Sequence, residues 1–196
     1  MRISGGIWRG RMLRVPRNGV RPAQDQLRQA IFSSLGEAVV DARVLDLFAG
    51  TGAYGIEALS RGAASVCWVE RDARTLADLK GNVRSVLSPE AFQRQAHFVA
   101  GDALLPAVLA QAGHGWDLVF ADPPYAEAEA GGWERQTLLN LSGSLLRPGG
   151  WLVWESSARS PVPEVPVGWI RVRNRSKGST AWRLYGKDDA QPVEAL

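Results

Sequence analysis

The sequence predicts an α/β domain with an open, mostly parallel sheet of seven strands, helices on both faces, an antiparallel hairpin at its end and a small basic extension at its start. Three observations carry this. Short apolar runs alternate with helical patterns between residues 43 and 155. The first run, "VLDLF", leads straight into a glycine turn, Gly50-Thr51-Gly52-Ala53-Tyr54-Gly55, as at the opening of a βαβ unit. The last segment instead alternates apolar and polar residues about a Ser-Lys-Gly turn.

The elements follow in order. Residues 1–22 form the basic extension. "PAQDQLRQAIFSSLG", residues 22–36, reads as a helix: proline opens it, Leu27, Ile31 and Leu35 repeat at i, i+4 and i+8, and Gly36 closes it. Strands are expected over 43–48, 65–70, 97–101, 116–121 and 150–155, and helices over 53–61, 73–87, 103–111 and 133–146. "GWIRVRNR" and "STAWRLYG" give the hairpin at the sheet edge. "SPVPEVPVG" is a proline-rich connection inside the domain, so residues 23–187 form one unit and 188–196 are expected to be a flexible tail.

A chain of 196 residues with 45% apolar content is long enough for one sizeable core. No run approaches the roughly 18 apolar residues of a membrane span, and "MRISGGIWRG" lacks the apolar centre of a signal peptide, so a cytoplasmic protein without membrane partners is expected. The single cysteine, Cys67, cannot build a disulfide framework or a thiolate metal cluster within one chain. Charge is uneven: residues 1–28 carry seven arginines against Asp25 alone, a net +6 that leaves the rest at −3. Arginine forks bind phosphates and stack on bases, which makes nucleic acid the first partner to consider, with a solubilising arm as the plainer alternative.

The glycine turn fits the spacing of a dinucleotide site, and its neighbours must decide. Ligands of open parallel sheets bind at the carboxyl ends of the strands, where Gly50 and Gly52 let a ligand approach the backbone. Glu70, at the end of the second strand, suits a ribose diol. Asp46, inside the first strand four positions before Gly50, would repel a pyrophosphate but favour a cationic ligand. S-adenosylmethionine has an ammonium, a sulfonium and a ribose, and no phosphate. Asp102, after the third strand, suits an adenine amino group; it also reads plainly as the cap of the following helix.

"WDLVFADPPYAEA" places Asp122-Pro123-Pro124-Tyr125 after the fourth strand, on the same sheet edge. The prolines stiffen the turn and hold Asp122 extended. Asp122 Oδ and the Pro123 carbonyl can accept both protons of an exocyclic base amine and aim its nitrogen at a methyl donor, while Tyr125 stacks on the base at about 1 to 3 kcal/mol. Such chemistry requires neither a metal nor a covalent nucleophile.

"DLFAGTG" and "DPPY" together resemble class I methyltransferases that act on exocyclic base amines, which implies their Rossmann-like fold. With "MRISGGIWRGRMLRVP", "RPAQDQLRQAIFSSL", "VLDLFAGTGAYGIEALSRGA", "VFADPPY" and "LLRPGGWLVWE", nearly the whole chain resembles the bacterial ribosomal small-subunit methyltransferase D family. The resemblance implies methylation of guanine N2 in 16S ribosomal RNA, within the small subunit or an assembly intermediate, by a monomer. It assigns Asp46, Gly50, Gly52, Glu70 and Asp102 to S-adenosylmethionine, Asp122 to Tyr125 to the target base, and Arg2, Trp8, Arg9, Arg11 and Arg21 to RNA. The chain departs from the family pattern at Ala23, at Arg28-Gln29 and at Tyr54, where the family usually has threonine, an Arg-Glu pair and leucine.

Other residues read plainly. His97 and His114 have no carboxylate partner in the sequence pattern. Trp68, Trp116, Trp151 and Trp154 lie in strands and belong to the core, whereas Trp8 suits either packing or stacking on RNA. The charges of "RVRNRSKGSTAWR" suit an edge strand that must avoid pairing with another sheet. Three rivals remain: an N6-adenine methyltransferase, for which no separate DNA-reading domain is available; an NAD-dependent oxidoreductase, opposed by Asp46; and a non-catalytic RNA-binding module, opposed by Asp122.

Overall fold

The computed structural model describes residues 1–15 and 22–187, so the expected tail and Arg21 lie outside the described residues. In chain order the elements are α1 (Pro22–Leu35), a 3-10 turn (Gly36–Val39), β1 (Arg43–Leu47), α2 (Ala53–Ser60), β2 (Ser65–Glu70), α3 (Ala73–Val86), α4 (Pro89–Gln95) and β3 (Ala96–Ala100). They continue with α5 (Pro106–Ala112), β4 (Trp116–Ala121), α6 (Tyr125–Gly131), α7 (Trp133–Leu141), β5 (Leu146–Ser157), β6 (Trp169–Lys177) and β7 (Thr180–Lys187).

One seven-stranded sheet runs in the order β3-β2-β1-β4-β5-β7-β6, with β1 to β5 parallel and β7 antiparallel to both its neighbours. The carboxyl ends of five strands therefore share one edge. Ser157, at the end of β5, pairs with Thr180, which brings the β6–β7 turn to that same edge. Buried side chains form two clusters, one per face. Leu27, Ile31 and Phe32 of α1 join Ile56, Leu79 and Val83 on one side; Val108, Leu109, Leu138 and Leu141 lie on the other. Among the described residues no helix is long and apolar enough to cross a membrane.

The structure departs from the sequence pattern where local caps override periodicity. The helix expected over 73–87 ends at Val86, because Ser88 accepts the amide of Ala91 and, with Pro89, starts a second helix. The helix expected from 103 begins at Pro106, since Asp102 Oδ1 takes the Leu104 amide in a turn. Residues 133–146 divide: the helix stops at Leu141, and Leu146 already pairs with Trp116. A register shift between Trp116 and Leu118 absorbs the Arg-Pro-Gly-Gly segment, so β5 is longer than its apolar run. Helix α6, which the sequence pattern does not single out, follows Pro124 directly. Within the hairpin only β6 is an edge strand; β7 is interior.

Residues 1–15 fold back onto the domain. Arg2 and Met12 form an antiparallel bridge, and the Ile3 and Leu13 side chains are buried in the α1–α3 cluster. Asn82 of α3 accepts the Arg14 amide at 2.9 Å and donates to the Arg14 carbonyl at 2.9 Å. Glu57 of α2, fully buried, anchors the other end: it accepts from the Ser4 amide (2.8 Å), Ser4 Oγ (2.7 Å), Arg28 Nε (3.4 Å) and Arg61 Nε (2.9 Å). Arg28, also buried, reaches Asp25 Oδ1 at 3.0 Å and the Arg2 carbonyl at 2.6 Å. One ionic cluster thus ties hairpin, α1 and α2 together.

Candidate active site

The turn after β1 is built for close approach. Gly50 has φ 52°, where a Cβ would touch only the Phe48 carbonyl oxygen at 3.9 Å, while Phe48, a non-glycine residue, is held at φ 56°. Strain of this kind persists only where surrounding contacts enforce it. Here the Phe48 ring stacks on Trp133 (centroids 5.7 Å apart, planes at 10°) and meets Trp154 edge-on. Gly52 is buried at the α2 N-cap with φ 83°, where a Cβ would lie 3.0 Å from Leu79. At Gly55 a Cβ would come within 2.3 Å of Trp68, so this glycine lets α2 lie against β2.

Two cavities open along the carboxyl edge. The larger, about 670 Å³, is lined by Gly50, Glu70, Gly101, Asp102 and all of Asp122 to Tyr125, among others. The smaller, about 230 Å³, is lined by Asp46, Tyr54, Glu155 and Arg28. Phe48, Gly50 and Asp122 line both, so the aspartyl-prolyl turn stands at their junction.

Glu70 accepts the Gly50 amide at Oε2 and the Asp72 amide at Oε1, both at 2.9 Å, which fixes the carboxylate and leaves each oxygen a further acceptor site. Asp102 is held by Leu104 through one oxygen only. Asp46 is 2% exposed and accepts the Gly55 amide at 2.9 Å. It is therefore not the unpartnered anion that its place in the sequence suggests. Burial pushes its pKa up to about 8, against which the Gly55 hydrogen bond works only partly, with Glu70 adding repulsion.

Glu155, two residues before the end of β5, is the site residue that the sequence pattern does not reveal. It is 2% exposed; Tyr54 donates to Oε2 at 2.5 Å and Tyr125 donates to Oε1. One carboxylate thereby fixes the Tyr125 ring and joins α2 to α6 across the sheet. The Tyr54 ring stacks on Phe120 with centroids 5.0 Å apart. Burial, Glu155 and Asp46 together hold the Asp122 carboxyl well above the usual carboxylate range, and burial raises Glu155 too. The only signal in the sequence was an acid closing the apolar run "WLVWE".

The expected nucleic-acid residues lie elsewhere on the surface. Arg2, Arg9 and Arg11 are exposed on the N-terminal hairpin, and Arg11 donates to the Ser85 carbonyl at 3.2 Å. Trp8 is half-buried against the core, and its amide donates to Ser60 Oγ. His97 and His114 are exposed.

The family profile described as Conserved hypothetical protein 95 matches residues 1–186. The chain is 37% identical over 195 residues to Ribosomal RNA small subunit methyltransferase D of Escherichia coli K12, covering 96% of this chain and 90% of that one. The Haemophilus influenzae protein of the same name is 31% identical over 186 residues, covering 94% and 93%. Among solved structures, yhhF from Escherichia coli superposes with a TM-score of 0.81 at 35% identity, over 97% of this chain and 99% of that one. The strand order, the paired cavities with Asp122 at their junction and these full-length likenesses lead to one assignment: the chain belongs to the ribosomal RNA small subunit methyltransferase D family.

Proposed function

We propose that this chain methylates the exocyclic N2 amine of a guanine in 16S ribosomal RNA, in the small subunit or an assembly intermediate. The observation that carries the reading is Asp122, placed where a large cavity with ribose-type acceptors meets a smaller, acid-lined one. The donor set fits S-adenosylmethionine: Glu70 keeps acceptor sites for a ribose diol, Asp102 has a free oxygen for an adenine amine, and Asp46 faces the cationic end. When bound, that cofactor supplies an electrophilic methyl group on a sulfonium.

The protein's part is positioning and proton handling. Asp122 Oδ and the Pro123 carbonyl accept the two amine protons, which turns the nitrogen lone pair out of the base plane. Tyr125, locked by Glu155, stacks on the base. Because its pKa is raised, Asp122 is a competent acceptor for the proton the nitrogen sheds as its bond to carbon forms. The deciding experiment incubates the protein with labelled S-adenosylmethionine and either 16S ribosomal RNA or small subunits, then digests the RNA for mass spectrometry. N2-methylguanosine at one position is expected; N6-methyladenosine, or no transfer to either substrate, overturns the proposal.

Donor binding should depend on pH through Asp46. With its pKa near 8 in the ligand-free protein, this carboxyl is mostly protonated at pH 7, and a cation beside it favours ionisation. Calorimetric titration with S-adenosylmethionine should therefore show proton release near pH 7 and affinity that rises with pH until it levels above 8. Stability runs the other way. A folded-state pKa raised from 3.8 gives a contribution fully present below 3.8 and lost as pH rises through about 8. The Asp46→Asn variant should lose both dependences, and a wild type with neither would remove the assigned role.

A further inference from the structure

Three of the four cations of β6, Arg173, Arg175 and Lys177, are aimed at the α1 side, while Arg171 pairs opposite Tyr185 of the other cluster. A register shift between Arg171 and Arg173 puts Arg173 opposite Leu184 and Arg175 opposite Trp182, both of which face the α1 layer. Arg173 Nη1 donates to Ser34 Oγ at 2.7 Å, and Lys177 Nζ donates to Gln26 Oε1 at 2.8 Å, so two of the three reach onto α1 itself. These partners are neutral and leave the positive charge uncompensated. Among the described residues neither these three cations nor Arg2 and Arg9 pair with a carboxylate.

Between the two cationic sets lies the outward face of α1, where Gln26, Gln29 and Ser33 are exposed and uncharged. The one acid of this helix, Asp25, is neutralised by Arg28 at 3.0 Å. A hollow of about 260 Å³ lies where Arg2 and Arg9 meet Gln26 and Gln29, and its wall includes Asp25. Asp25 also lines the cavity that contains Asp122 and Glu155. Protection of an edge strand requires charge but no contact with α1, so it leaves this placement unexplained.

We propose that α1 floors a channel for the phosphodiester backbone of the substrate RNA, walled by Arg2 and Arg9 on one side and by Arg173, Arg175 and Lys177 on the other, and opening at Asp25 into the smaller cavity that Asp122 lines. Guanidinium and ammonium groups on both rims hold phosphates, and the neutral floor admits the strand without repulsion. The channel rests on the reading of the chain as an RNA methyltransferase and adds the path by which the target nucleotide reaches Asp122.

The test uses the full chain with Arg175→Gln and Lys177→Gln combined, two exposed positions whose replacement spares the core. Binding of transcribed 16S ribosomal RNA is measured across 50 to 200 mM salt, with calorimetry of S-adenosylhomocysteine as the check on the cofactor site. The expected result is RNA affinity about tenfold weaker and a salt slope shallower by about 1 to 2, with cofactor binding unchanged and Arg175→Lys close to wild type. Unchanged RNA affinity and slope would overturn the channel and return β6 to edge protection, leaving the enzyme assignment intact. Unchanged RNA binding with impaired methylation of assembled subunits would also overturn it, in favour of a protein contact. Wild-type protein that methylates no RNA would instead remove the functional reading beneath it.

Discussion

The Asp122→Asn variant is expected to lose about 10³-fold or more in kcat for methyl transfer while S-adenosylhomocysteine binds almost as in the wild type. Two effects add in that loss. The variant replaces a carboxylate by a neutral amide in the one amine hydrogen bond that Asp122 makes beside the Pro123 carbonyl, and a positioned acceptor of this kind contributes about 10² to 10³-fold. An amide also cannot take up the proton the nitrogen releases, and general-base assistance contributes about 10² to 10⁴-fold. The pH profile separates the two. In the wild type, activity should fall as pH is lowered through the raised pKa of Asp122, and the residual activity of Asp122→Asn should lack that limb. Single-turnover assays with 16S ribosomal RNA give both quantities, and a variant with near-normal kcat would rule out Asp122 as the amine acceptor.

Glu57→Ala should be the most destabilising single change outside the catalytic residues. Glu57 is fully buried, and its removal strands Arg28, itself only 3% exposed, with a single remaining carboxylate partner. Breaking a buried ion pair from one side typically costs about 3 to 5 kcal/mol, because the surviving charge loses compensation it cannot recover from water. Denaturant unfolding should register that loss. Replacing Arg28 and Glu57 together by Met and Leu should cost much less than Glu57→Ala, because no buried charge is then orphaned; equal losses in the two would show that packing, not charge, dominates the cluster. Limited proteolysis adds a local prediction: residues 1–15 should be cut first, since the Ser4 bonds go with Glu57.

Much of the fold is legible because its signals are local. Strands β2 and β4 match their apolar runs residue for residue, since a strand buried on both faces must be apolar throughout. The glycine turn and the Asp122 turn announce themselves through backbone demands that few other residues meet. What the sequence hides is set by partners distant along the chain. Glu155 owes its importance to two tyrosines 101 and 30 residues away. Asp46 looks like a free anion in the sequence and becomes a largely neutral acid only through enclosure by the folded protein. The N-terminal segment reads as a charged arm because its arginines are conspicuous, while Ile3 and Leu13, which dock it, are two apolar residues without periodicity.

That docking bears on the order in which the molecule assembles during synthesis. Residues 1–15 leave the ribosome before their partners, so Ser4 waits for a partner 53 residues on and Arg14 for one 68 residues on. Contacts so distant along the chain are made late, after the loop between them has closed. A nascent chain arrested before α3 should therefore expose its hairpin to proteases, and protection of that segment would report when the α1–α3 layer has come together.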